Sequence, residues 1–123
     1  MRVLVCGGRD NNDEDYVVKT LDRVLSARGP FERVIHGDAR GVDRIAGKWA
    51  RAHNILEWDF LPEWHRVDPE SGVNRNQRMM LAGAPDLVIA FPGGEGTESM
   101  VAQAKAADIE VIEVPPPPPK SGR

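Results

Sequence analysis

The chain has 123 residues, a single cysteine, 16 Lys and Arg against 19 Asp and Glu, and a formal charge of −3. That length suits one domain around one core and leaves no room for a separate substrate domain. The balance gives no global basic surface for nucleic acid or a membrane, a lone cysteine excludes an intrachain disulfide and a cysteine-rich zinc site and suits a reducing, cytoplasmic setting, and no apolar run reaches the ~20 residues of a membrane helix.

Residues 3–6, VLVC, read as a strand apolar enough to be covered on both faces. The strand runs into Gly7-Gly8-Arg9-Asp10. Val17, Leu21, Val24, Leu25 and Arg28 then fall on one helical stripe that ends at Gly29-Pro30. A second strand, 34–36, leads into HGDARGVD at 36–43, and Val42, Ile45, Ala46, Trp49, Ala50 and His53 repeat with helical spacing. Residues 56–60 predict a third strand. Residues 61–73 hold Pro62, Pro69 and Gly72 without a clear period and are expected to form an irregular, functional loop. A short helix over about 74–82 stops at Gly83 and Pro85. The apolar fourth strand, 87–91, meets PGGEGT, a last helix is predicted over 98–107, and a fifth strand over 109–114. Five prolines, 115–119, then open a tail over 115–123 that is expected to be an exposed extension of a domain spanning 1–114.

Strands alternating with helices imply an α/β fold, a Rossmann-like doubly wound parallel sheet of about five strands with helices on both faces. All strand-to-helix loops then share one edge. With the order 3-2-1-4-5, the reversal lies between strands one and four, where such folds bind ligands. The expected walls are Gly7-Gly8 and Gly93-Gly94, with Gly37 from the second loop alongside. Strand, glycine loop, helix is a phosphate-cradling order: Pro92, Gly93, Gly94 and Gly96 precede a helix whose free N–H groups and positive dipole end face an anion, the glycines being suited to close approach and positive φ. Neither GxGxxG nor GxxxxGK[ST] occurs, so nicotinamide hydride chemistry and Walker-type hydrolysis lose support. No cofactor is expected.

Arginine offers phosphate a charged, bidentate fork. Arg9 follows the first glycine pair, and Arg75 and Arg78 stand i, i+3 on the short helix. Thr97 is placed to cap the last helix or touch phosphate. Asp43 either complements the dipole of its helix or accepts from a ribose hydroxyl. Trp64 either stacks on a base or fills core under the loop. Trp49 and Trp58 read as packing, and Cys6 as buried and inert. Three histidines without ligand spacing give no metal site.

VLVCGGRD at 3–10, VIHGDARGVDRIAGKWA at 34–50, EW at 63–64, NRNQRMM at 74–80 and PDLVIAFPGGEGT at 85–97 together resemble the YspA-like group of the SLOG superfamily. The likeness spans nearly the whole chain up to the proline tail. The superfamily is Rossmann-like and includes the cytokinin-activating LOG phosphoribohydrolases, a DNA-processing protein, and sensors of nucleotide or ADP-ribose derivatives. The resemblance implies a nucleotide or nucleotide-derived small-molecule partner, bound or processed, and a possible homodimer. It leaves two readings, a module that binds or senses the ligand and an N-glycosidic hydrolase of the LOG type. The LOG loop reads PGGxGTxxE, and the place of its catalytic glutamate is taken here by Met100. In the same comparison Arg78 stands for the arginine ahead of strand four.

Overall fold

A computed structural model describes residues 1–60 and 71–117, with 71–74 described by backbone alone. The elements run β1 (Arg2–Cys6), α1 (Glu14–Arg28), β2 (Arg33–His36), α2 (Val42–Ala52), β3 (Leu56–Asp59), α3 (Ser71–Gly83), β4 (Leu87–Ala90), α4 (Glu95–Ala106) and β5 (Glu110–Glu113). They form a five-stranded sheet, all pairs parallel, in the order β3-β2-β1-β4-β5. The expected α/β doubly wound architecture is therefore the observed one, with its reversal between β1 and β4.

The period of two along each strand divides the core. On one face Val3, Val5, Leu87 and Ile89 pack with Val17 and Leu21 of α1 and with Val42, Ala46 and Trp49 of α2. On the other, Leu4, Cys6, Val88 and Ala90 pack with Met79 of α3 and with Met100 and Ala104 of α4. Burial of both faces is why β1 and β4 need continuous apolar runs. The edge strands β3 and β5 are short and carry exposed residues at both ends, which blunts pairing with another chain.

Two helix starts differ from expectation. Residues 71–73 belong to α3 rather than to an irregular loop, because Pro69 and Gly72 hide the period of its first turn in the sequence. Residues 61–70, with Trp64, lie outside the described residues. Helix α4 begins at Glu95 with Gly94 as N-cap, so Gly96, which reads as a loop residue, sits in a first helical turn, where glycine costs at most about 1 kcal/mol. In the tail, the Tyr16 hydroxyl donates to the Pro115 carbonyl, and 115–117 are exposed. Among the described residues, no helix is long and apolar enough to cross a membrane.

Candidate anion-binding edge

Gly8 ties three loops together. Its N–H donates to Pro92 O at 2.9 Å, and its carbonyl accepts from Val42 N–H at 3.4 Å and Asn11 N–H at 3.3 Å. The loops after β1, β2 and β4 thus meet at the switch point, as their glycines predict. Close packing requires several of those glycines. A Cβ on Gly7 would lie 2.6 Å from Val42 Cγ2, and one on Gly93 would lie 2.8 Å from Gly8 N and also collide with Thr97 Oγ1. Gly94 and Gly96 face open space.

The expected use of positive φ at 93, 94 and 96 is not what is found. Among the described residues, the one glycine with positive φ is Gly41, at 84°, and a Cβ there would meet Arg9 O at 2.7 Å and crowd Gly8 O. Gly41 is therefore needed both for its left-handed backbone and for the closeness of the first two loops. The glycine just ahead of an amphipathic helix was the available signal for it.

The helix N-termini are treated differently. In α1, Asp13 is the cap and accepts from Tyr16 N–H at 3.2 Å. Asp10 instead pairs with Arg40 at 3.0 Å. At α2 the Val42 N–H is taken by Gly8 O, and Asp43 supplies a carboxylate in the first turn. At α4, Gly94 offers no side-chain acceptor, and the first amide returned to the helix is Glu98 N–H, on Gly94 O at 3.0 Å. The N–H groups of Glu95, Gly96 and Thr97 precede that bond and point out of the helix end. Thr97 is thus inside the first turn and is not the cap. Glu95 and Glu98 are exposed.

The second loop uses its amides inward. Ala39 N–H donates to Asp43 at 3.2 Å, while Asp38 N–H donates to His36 Nδ1 at 2.9 Å. Asp43 is 6 % exposed, and burial raises its pKa against the lowering effects of the Ala39 amide, Arg75, His36 and the Gly37 amide. Its carboxylate is engaged from within, which matches the first-turn reading of this residue.

Arg75 lies beneath this loop. It is 9 % exposed, its Nη1 donates to Gly37 O at 3.4 Å, and its buried Nε has no hydrogen-bond partner among the described residues. Gly37 is the residue that lets the guanidinium approach, since a Cβ there would be 2.9 Å from Cζ. The Arg75 pKa is lowered first by burial; Asp43 raises it, and the positive charges of Arg9 and Arg78 lower it further. Arg9 is exposed and Arg78 half-buried. Arg9 and Arg78 thus each stand near enough to Arg75 to oppose its charge, an opposition that an anion relieves.

One contributor escaped the sequence reading. Asn76 is 2 % exposed and donates from Nδ2 to Gly96 O at 3.0 Å. It fixes α3, which carries both arginines, against the first turn of α4. Beside the loop, a groove of about 390 Å³ runs between α4 and the end of β5, lined by Phe91, Pro92, Gly93, Thr97, Val101 and Glu113.

Met100 is fully buried among Leu4, Val88 and Ala104, so the position that carries the LOG glutamate holds a core side chain. Cys6 is buried as expected, and burial, with the Asp43 charge, pushes its thiol up to about 12. Among the described residues, no three or more His, Cys, Asp or Glu side chains are grouped to hold a metal ion.

Fold and edge together define a doubly wound α/β domain whose glycine-bearing loops after β1, β2 and β4 meet at its switch point. A family model described as the YspA, cpYpsA-related SLOG family matches residues 1–67, which take in the first two loops of the edge. The chain is also 40 % identical over 119 residues to the Gene 61 protein of Mycobacterium phage D29, an alignment covering 90 % of this chain and 94 % of that protein. The chain belongs to the YspA, cpYpsA-related SLOG family.

Proposed function

We propose that the protein binds or senses a phosphate-containing, nucleotide-derived small molecule at the edge formed by the loops after β1, β2 and β4. The observation that carries this reading is the first turn of α4, which has no side-chain cap and opens at the switch point of a sheet edge where Arg9 and Arg78 act on the charge of Arg75. Outward N–H groups, a positive dipole end and clustered guanidinium charge are the complement of a phosphate. Family membership supports a nucleotide-related ligand. In this reading Gly94 and Gly96 keep the approach open, while Gly7, Gly8, Gly93 and Pro92 hold the wall that the phosphate faces.

Binding is favoured over hydrolysis because Met100, at the place of the LOG glutamate, cannot ionise or carry a proton. The test is a thermal-shift and calorimetric panel of AMP, ADP-ribose and related nucleotides. A hundredfold excess over Kd adds about 2.7 kcal/mol of stability, and a broad panel without shift or heat would refute the proposal. Incubation with nucleoside monophosphates distinguishes the hydrolase: release of base and ribose 5-phosphate at about 1 per second or faster would make the protein an enzyme. A homodimer, which the LOG resemblance implies, is read by sedimentation of the same samples.

A further inference from the structure

His36 closes β2 and is 1 % exposed. Its Nδ1 accepts the Asp38 N–H at 2.9 Å, and its Nε2 stands 2.6 Å from Glu57 Oε2 on β3. A ring nitrogen that accepts a backbone N–H carries no proton, so the proton resides on Nε2 and is donated to Glu57. Glu57 accepts in turn from Arg51 Nη1 at 2.5 Å. The contact crosses α2 at Gly47, where a Cβ would lie 2.9 Å from His36 Nε2 and overlap Glu57. The helix thus carries a glycine in its middle, where glycine is disfavoured, at the point where this pair needs the space.

The pair acts on the second loop. Asp38 holds a left-handed backbone, φ 55°, which a non-glycine residue adopts only with local support. The bond into His36 Nδ1 supplies that support, and the residue before it presents the carbonyl that receives Arg75.

We propose that His36, oriented by Glu57, is a positioning residue that fixes the Gly37–Asp38 turn and through it the Arg75 guanidinium beneath the ligand edge. The effect on ligand rests on the phosphate-binding reading above. The effect on the turn does not.

Two substitutions separate the two ring nitrogens. His36→Asn keeps an oxygen near the Nδ1 position, able to accept the i+2 amide as an Asx turn does, but cannot reach Glu57. His36→Gln reaches toward Glu57 but removes the acceptor beside its own backbone. The experiment uses the full chain, with hydrogen exchange of the Asp38 amide measured by NMR and AMP affinity by calorimetry. His36→Asn is expected to keep Asp38 protection and AMP affinity within about threefold of the parent. His36→Gln is expected to lose about tenfold in protection and three- to tenfold in affinity, the scale of one hydrogen bond.

Parent-like Asp38 protection in His36→Gln would overturn the proposal, as would losses in both variants that simply follow their melting temperatures. If the substitutions prevent folding, nitrogen-15 spectra of the parent imidazole decide: a protonated Nε2 and bare Nδ1 support the assignment, and the opposite tautomer overturns it. A parent that binds neither AMP nor inorganic phosphate would refute the ligand reading, while the Asp38 exchange data would still judge the positioning role.

Discussion

Gly93 and Gly94 are adjacent, yet the structure gives them opposite duties, and substitution should separate stability from binding. A methyl group on Gly93 would press on Gly8 N at 2.8 Å and Gly7 C at 3.0 Å, both backbone atoms that cannot swing aside. Overpacking of this kind costs about 1–3 kcal/mol. For 123 residues, an unfolding entropy near 2.1 cal/mol/K per residue converts each kcal/mol into about 4 °C. Gly93→Ala should therefore lower Tm by about 4–12 °C. Gly94 has no atom within 4 Å of its would-be Cβ and a negative φ of −98°, so Gly94→Val loses only the glycine preference at an N-cap, about 0.5–1 kcal/mol or 2–4 °C. Its branched side chain would occupy the space before the α4 amides and remove at least two charge-assisted bonds, weakening AMP by at least about 100-fold. Scanning calorimetry and isothermal titration on both variants provide the readouts. The reasoning fails if Gly94→Val binds AMP like the parent, or if it unfolds earlier than Gly93→Ala.

Loss of a charge-assisted phosphate contact in Arg78→Ala should weaken AMP binding by about 1.5–3 kcal/mol, roughly 10- to 150-fold, and titration showing less than threefold would remove Arg78 from the site. Cys6, with its thiol pushed up to about 12 by burial, should resist iodoacetamide at pH 8 by a factor above about 10³ relative to a free cysteine of pKa ~8.5; mass spectrometry finding alkylation at the free-thiol rate would contradict its burial. Burial alone would raise Glu57, but the hydrogen bonds from His36 and Arg51 outweigh it and hold the carboxyl below its usual range. The unfolded chain then binds more protons at this residue, so its contribution is present above about pH 4.3 and is lost as the pH falls through the folded value. Glu57→Gln should flatten the fall of Tm below about pH 4.3, and an unchanged slope would show the carboxylate to be energetically idle.

Local pattern alone determines much of this protein. Runs such as VLVC and LVIA can be satisfied only where both faces of a sheet are covered, and their alternation with helical stripes dictates parallel strands, right-handed crossovers and loops gathered on one edge. The glycine pairs after the first and fourth strands mark where those two loops meet: close backbone approach, as at Gly7 and Gly93, needs residues without Cβ. The start of α4 was harder to read, since PGGEGT has the composition of a loop, whereas in the fold the Glu98 N–H closes a turn on Gly94 O and Asn76 binds the Gly96 carbonyl. Which amides remain for a ligand was decided in three dimensions as well. The second loop carries glycines like the other two, yet its Asp38 and Ala39 N–H groups are taken by His36 and Asp43, and the carbonyl of Gly37 receives a guanidinium 38 residues away. Hydrogen-bond partners at that separation leave no periodic trace in the chain, because a donor's acceptor is set by where the sheet order brings two loops together and not by its neighbours in sequence.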